Sequence, residues 1–298
     1  MTTNEYLITV LELQKLGDDS KEMKELQGHR ADVEKLLRDK FKDCSPKIRY
    51  GGSKAKGTLI SAMYDLDIIC YFPNDDMSAG NSLEDIYNNV KSALEKEYCV
   101  IQKNSALRLK SKDAQGLASD FHIDVVPGRY VEGDDGDCFI FQANADKTRL
   151  KTNLDKHISH VRGSGVTDTI KLLKLWKVRK GLRLKQFIWE LLIIDLLKGK
   201  SSKSLEDQLL HVWTVIRDTK DPISVEDPAN PNGNDLSDIM AQYWQELSSA
   251  ANSTLKTIEN LGWESVFGTS KLIDETQRIS GLTQASSAAI IKTKPWVD

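Results

Sequence analysis

Asp65 and Asp67 are two residues apart at the head of an apolar run, Leu66-Asp67-Ile68-Ile69-Cys70-Tyr71-Phe72. On a β-strand, side chains at i and i+2 leave the same face, about 6–7 Å apart along the strand. Two carboxylates held that close repel one another and are stable mainly with a cation between them. Magnesium suits such a pair, because it takes oxygen ligands and keeps positions open for phosphate oxygens. A third acid, Asp124, interrupts Phe121-His122-Ile123-Asp124-Val125-Val126, where an ionised carboxylate is costly unless paired. His122 and Asp124 share one face of that run. If the two strands are neighbours, three acids meet. Such a trio serves two-metal phosphoryl transfer, with Asp124 also able to accept the proton of an attacking hydroxyl.

Upstream, Gly51-Gly52-Ser53 reads as a turn whose glycines let backbone N–H groups and the Ser53 hydroxyl approach a phosphate, with Lys54 and Lys56 adding charge. Each feature alone is weak: D-x-D pairs are mostly surface features, and Asp124 alone could be a satisfied strand-edge residue. The conjunction carries the reading.

These residues need rigid elements behind them. Helices are expected over Glu5 to Leu16, Ser20 to Lys42 and Ser82 to Glu97, the last capped by Ser82 with Glu84 and Asp85 in its first turn. Strands are expected at Ile48 to Tyr50, Asp65 to Phe72, Cys99 to Gln102, Ala106 to Lys110, Phe121 to Val126 (closed by Pro127-Gly128) and Cys138 to Phe141. Gly133-Asp134-Asp135-Gly136 reads as a turn. From Thr167 onward the pattern is helical: Thr167 to Lys180, Leu184 to Lys198, Ser204 to Arg217 and Asp235 to Leu261. A loop, Asp218 to Asn234, intervenes, and the tail after Gly268 is left open. A break near Gly163-Ser164-Gly165 divides an α+β half from a helical half.

Composition narrows the function. The chain has 298 residues, 41 Lys and Arg against 44 Asp and Glu, and a formal net charge of -3. That balance favours a small substrate over a long polymer. The four cysteines, Cys44, Cys70, Cys99 and Cys138, show no zinc spacing, and Cys70 and Cys99 read as buried small hydrophobes. With no signal peptide, membrane-length apolar run or disulfide pattern, a cytoplasmic setting is expected.

The run Gly52-Ser53-Lys54-Ala55-Lys56-Gly57-Thr58 followed by Asp65-Leu66-Asp67-Ile68 resembles the signature of the DNA polymerase β-like nucleotidyltransferase superfamily. Within it the chain most resembles the bacterial cGAS/DncV-like nucleotidyltransferases (the CD-NTase or SMODS group), relatives of the oligoadenylate synthases. Four stretches carry the narrower likeness: Ile123 to Gly128, Ile170 to Trp176, Lys185 to Leu192 and Asp227 to Asn234. The last matches an Asp-Pro-x-x-Pro-x-x-Asn loop.

The resemblance implies an α+β architecture: a polymerase β-like lobe of mixed sheet and flanking helices over 1–165, an all-helical substrate-binding lobe over 166–298, and an active site in the cleft between. It implies Asp65, Asp67 and Asp124 as catalytic and metal-binding residues for two Mg2+ ions, with Mn2+ a possible substitute. Gly52, Ser53, Lys56, Lys174, Gln186 and Phe187 would bind nucleotide, Lys174 at the triphosphate and Phe187 against a base. Phe187 stands where relatives carry tyrosine, and no zinc insertion like that of the animal DNA sensor is present. The implied substrates are ATP, GTP or other NTPs, and the product a cyclic di- or trinucleotide messenger of anti-phage signalling. A product-activated effector protein is then a partner, whereas a membrane or a stable nucleic-acid partner is not expected, and the enzyme would be a monomer. Rival readings are linear oligonucleotide synthesis, terminal addition to tRNA or other RNA, and a non-enzymatic nucleotide-binding regulator.

Without the resemblance, Lys171, Lys174 and Lys177 form a stripe that would normally be solvated, and Phe187 and Trp189 are core residues. His157 and His160 read as a surface pair, and Asp195 as a structural group.

Overall fold

The computed structural model describes residues 1–112, 123–133, 136–143 and 147–268. Phe121, His122, the Asp134-Asp135 turn and the tail from Thr269 lie outside the described residues.

Seven strands form one mixed sheet: β1 (Lys47–Tyr50), β2 (Leu66–Phe72), β3 (Tyr98–Gln102), β4 (Leu107–Ser111), β5 (Ile123–Tyr130), β6 (Cys138–Phe141) and β7 (Arg149–Thr152). The main order is β1-β2-β5-β4-β3, with β6 pairing β5 and β7. Among the described strands only β2 and β5 run parallel, and their register sets Asp67 against Asp124. β2 is buried along almost its whole length, as its unbroken apolar run requires. Helices α2 (Lys21–Lys40) and α4 (Leu83–Leu94) cover one face, contributing Met23, Leu26, Val33, Leu37, Ile86, Tyr87 and Val90 to the core with Ile68, Cys70 and Phe72. The Ser82 cap forms as read, in a reciprocal box with Asp85.

The second half is helical: α5 (Leu154–Gly163), α6 (Thr167–Arg179), α7 (Gln186–Leu196), α8 (Leu205–Asp218), α9 (Ser237–Leu261) and α10 (Glu264–Phe267). Its centre is a chain of indoles. Trp176 on α6 lies 5.8 Å from Trp189 on α7 and 5.7 Å from Trp213 on α8, and donates to Thr254 Oγ1 on α9 at 2.8 Å.

Several expectations change. The segment after Gly51 is a short helix, α3 (Gly52–Lys56), rather than a plain turn. Pro127-Gly128 does not end its strand: β5 runs on to Tyr130, because Gly128 to Tyr130 pair with β6. Strand β7 and helix α5 were missed: Arg149–Thr152 is too short and polar to show a period. Cys99 is exposed rather than buried, because β3 is an edge strand with a largely open face. The first helix, α1 (Thr3–Leu13), packs not with the sheet but in the helical lobe, where Tyr6, Leu7, Val10 and Leu11 join Trp176 and Trp213. Tyr6 Oη donates to the Gly268 carbonyl at 2.6 Å, tying the N-terminal helix to the end of α10.

The indole stack gives a stability prediction. Trp176→Ala should destabilise the fold by about 3–5 kcal/mol through the cavity left among Trp189, Trp213 and α9, read as a lowered urea midpoint. A loss below about 1 kcal/mol would show that the stack does not centre the helical lobe.

Candidate active site

The site grows from strand register. In neighbouring strands, side chains at paired positions share a face. Gly51 lies beside Asp67, donating its N–H to the Asp67 carbonyl at 2.8 Å. Asp67 pairs with Asp124, and Asp124 with Arg108 on β4. A row Gly51–Asp67–Asp124–Arg108 therefore crosses four strand positions, with Asp65 just before β2. The row is electrostatically uneven. Arg108 forks Asp124, Nε to Oδ1 at 2.8 Å and Nη2 to Oδ2 at 2.7 Å. Among the described residues Asp67 has no such fork; burial, then the neighbouring Asp124 and Asp65 charges, push its carboxyl up to about 7.

Gly52 has φ 50°, and a Cβ there would lie 1.5 Å from Asp67 Oδ2. Glycine is thus required twice, for the left-handed backbone and for the space the carboxylate occupies. Gly52 opens α3, which presents Ser53.

Ser53 faces the helical lobe. Lys174 on α6 is 2% exposed and donates from Nζ to Ser53 Oγ at 2.8 Å and to the Thr58 carbonyl at 3.4 Å. Burial lowers its ammonium to about 8, against the opposing pull of Glu190, Asp65 and Asp67. Lys56 is also buried and reaches Glu190 Oε2 at 2.5 Å, while Thr58 Oγ1 donates to Glu190 Oε1 at 2.7 Å. Burial alone would raise the Glu190 carboxyl, yet Lys56, Lys174 and Thr58 hold it below its usual range. Lys56 is therefore a buried ion-pair partner whose charge is felt by Asp67, not a free side chain at the surface. Two of the three lysines of the α6 stripe, Lys174 and Lys177, are likewise not solvated: Lys177 is 2% exposed and donates to the Leu184 carbonyl at 2.7 Å.

Gln186 and Phe187 open α7. Gln186 Nε2 is 3.5 Å from Glu190 Oε1, and its buried Oε1 has no hydrogen-bond partner among the described residues. The Phe187 ring is half-buried, 4.8 Å from the His157 ring, with Lys56 Nζ 5.6 Å from its centroid. His157 is thus not a surface residue. Its Nε2 bonds Asp227 Oδ1 at 2.7 Å, and Asp227 also accepts from Asn234 Nδ2 at 2.7 Å and from the Ala229 N–H at 2.9 Å. The Asp and Asn that frame the Asp227-to-Asn234 motif bond each other, which accounts for their spacing. Asp195 is exposed.

Sequence reasoning missed Arg108, Thr58, Glu190 and His157. Glu190 left a signal: a lone acid within the apolar Ile188 to Ile194 run demands a buried cation. Arg108 left one too, as the polar member of Leu107-Arg108-Leu109.

Among the described residues no three His, Cys, Asp or Glu side chains stand grouped as a ready metal cluster. The residues nonetheless fit a hard divalent ion in kind. Asp65, Asp67 and Asp124 offer oxygen only, the donor such an ion prefers.

No family model matches the chain, and no curated protein matches it in sequence. Solved structures do match in fold. The CD-NTase CdnG of Bradyrhizobium diazoefficiens, solved with GTP, has a TM-score of 0.68 at 14% identity over 94% of this chain and 98% of that one. CdnC of E. coli MS115-1, solved with ATP, has a TM-score of 0.64 at 19% identity over 90% of this chain and 98% of that one. The Vibrio cholerae cyclic AMP-GMP synthase DncV has a TM-score of 0.60 at 15% identity over 91% of this chain and 83% of that one.

Two predictions test the geometry. Gly57, φ 75°, has open space around its missing Cβ. Gly57→Ala should cost about 1–2 kcal/mol from backbone strain alone. Gly52→Ala should cost more in the same urea titration, since Asp67 must also move; equal costs would mean that the Asp67 carboxylate is not seated over Gly52. The second concerns pH. In metal-free protein the folded chain holds the Asp67 proton up to about 7, while the unfolded chain releases it near 3.8. The folded state gains from that proton at low pH and loses the gain as pH rises from about 4 to 7. The melting temperature of the parent, relative to Asp67→Asn, should fall across that window. A flat difference would place Asp67 in an ordinary solvated setting.

The chain thus has the mixed-sheet and helical fold of the bacterial cGAS-like CD-NTases.

Proposed function

We propose that the protein is a Mg2+-dependent nucleotidyltransferase that joins nucleoside triphosphates, with release of pyrophosphate, into a cyclic di- or trinucleotide messenger. The observation that carries this reading is the juxtaposition of the Asp67–Asp124 row with the Ser53–Lys174 contact. Acids for metal and a hydroxyl-ammonium pair for phosphate lie together where sheet and helical lobe join. The likeness in fold to CD-NTases solved with ATP and GTP supports it.

Each residue has a task that its surroundings permit. Lys174 carries a compact charge, desolvated and held on Ser53, and exchanges that hydroxyl for a phosphate oxygen when a triphosphate arrives. The Ser53 hydroxyl, so released, donates to the same phosphate. Phe187 offers its ring to a base, steadied by His157. Gly52 keeps the backbone clear of the Asp67 carboxylate. Asp124 accepts the proton of the attacking ribose hydroxyl at a carboxylate oxygen. Asp65, Asp67 and Asp124 would hold the magnesium, which when bound activates the hydroxyl and neutralises charge on the triphosphate and leaving pyrophosphate. The chain would act as a cytoplasmic monomer, its product received by an effector protein in anti-phage defence. Among the described residues no helix is long and apolar enough to cross a membrane.

Incubation with Mg2+ and the four labelled NTPs, followed by phosphatase, tests the reading. The expected result is a phosphatase-resistant product together with pyrophosphate, lost with chelator and restored by Mg2+ or Mn2+. The double variant Asp65→Ala, Asp67→Ala should lower turnover by at least about 10³-fold while leaving the melting transition cooperative. A phosphatase-sensitive product would assign linear synthesis, and labelled tRNA, when tRNA is supplied, terminal addition. Nucleotide binding without pyrophosphate release would make the protein a regulator.

A further inference from the structure

The two acids of the D-x-D pair have different supports. Asp67 lies inside the sheet, paired with Asp124 on one side and taking the Gly51 N–H on the other. Asp65 stands one residue before β2, and the described β2–β5 ladder begins at Leu66 and Ile123. Its backbone is therefore set through the segment that leads into it, residues 58–64. That segment is bound to the helical lobe. Thr58 donates to Glu190, Ile60 is fully buried in the indole core, and Met63 packs against the same core. Between them, Ser61 and Ala62 meet Gln14, which caps the C-terminal end of α1. The Ser61 N–H donates to the Gln14 carbonyl at 3.0 Å. The Ser61 hydroxyl and the Ala62 N–H both donate to Gln14 Oε1, at 3.1 Å and 3.0 Å. The Ala62 N–H can only donate, so it fixes which end of the amide faces the segment. Gln14 is 5% exposed, a polar side chain buried with its acceptor used twice. Only Met63 and Tyr64 separate this staple from Asp65.

We propose that Gln14 is a positioning residue for Asp65: from the end of α1 it holds the Ser61-Ala62 backbone and thereby sets the first carboxylate of the D-x-D pair. The inference rests on the reading of Asp65, Asp67 and Asp124 as metal ligands. It gives the N-terminal helix a part in the chemistry, although α1 lies far from the acids in sequence and packs in the other lobe. Gln14 acts on metal through Asp65, as an outer partner that orients a ligand. Ser53, Lys174 and Phe187 have other supports, so nucleotide affinity is not its task.

Two readouts test it: Mn2+ binding to the nucleotide-free protein, followed by the electron paramagnetic resonance signal of free Mn2+, and kcat with the KM for NTP at saturating Mg2+. Gln14→Met keeps much of the side-chain length and removes the acceptor. It should weaken Mn2+ binding about tenfold and lower kcat, with the KM for NTP within about twofold of the parent. Gln14→Glu returns an acceptor oxygen and should lie closer to the parent in both. Tyr6→Phe unties the opposite end of α1 from Gly268 and should lower the melting temperature without moving Mn2+ affinity. Parent-like Mn2+ affinity and kcat in Gln14→Met, where the parent binds Mn2+ and turns over, overturn the proposal and leave the metal reading standing. So does equal weakening in Tyr6→Phe, the mark of a general loosening of α1. A parent that neither binds Mn2+ nor turns over overturns the metal reading and the proposal with it. Should Gln14→Met fail to fold, Ser61→Ala decides: it removes one contact to Gln14 Oε1, and unchanged Mn2+ affinity there overturns the proposal as well.

Discussion

The parallel pairing of β2 with β5 is the constraint on which the site depends. It alone brings Asp67 beside Asp124, two acids 57 residues apart in the chain, and the β4–β5 register then adds Arg108 to the same row. A one-residue slip between β2 and β5 would send Asp124 to the opposite face of the sheet and bury it against α2 and α4. The apolar alternation of β5, with Ile123 and Val125 buried in that core, forbids such a slip. The hydrophobic core thus fixes the position of charges that no core would choose to accept.

A second set of charges joins the lobes. Glu190, fully buried on α7, collects Lys56 and Thr58 from the segment around α3, while Lys174 on α6 reaches the Ser53 hydroxyl and the Thr58 carbonyl of that same segment. Such a network is weak evidence for stability, since desolvation offsets much of its attraction. Its geometry is specific, however: removing one buried partner leaves the other uncompensated, typically at a cost of about 3–5 kcal/mol. The segment around α3 is therefore held from the helical side, not from the sheet alone.

What could be read in the sequence follows from range. The D-x-D strand, the glycine-serine segment and the Asp124 strand obey local periods, so their types and faces show in a few residues. The α6 and α7 helices and the Asp227-to-Asn234 loop also read locally, and the motif spacing of that loop reflects a bond between its own ends. The pairs Arg108–Asp124, Lys56–Glu190 and His157–Asp227 were not legible, because each joins segments whose approach depends on the tertiary fold. The same reason hid the placement of α1. Its amphipathic pattern announces that one face is covered, but nothing in its spacing says by which lobe.

Helix α7 shows how these long-range pairs act together. Gln186 and Glu190 are one helical step of four apart and so lie on one face, within 3.5 Å of each other through Nε2 and Oε1. Phe187, the next residue along, turns toward His157, which Asp227 holds, and toward Lys56, which Glu190 holds. The ring proposed to meet a base is thus set between two side chains, each fixed by a different buried acid. One acid belongs to the loop before α9 and the other to α7 itself. A shift of either acid would move the aromatic surface before it disturbed the carboxylates on the sheet. The surface proposed for a base and the carboxylates proposed for metal therefore rest on separate supports, and the Lys56–Glu190 pair, whose lysine is also felt by Asp67, is the point where the two supports meet.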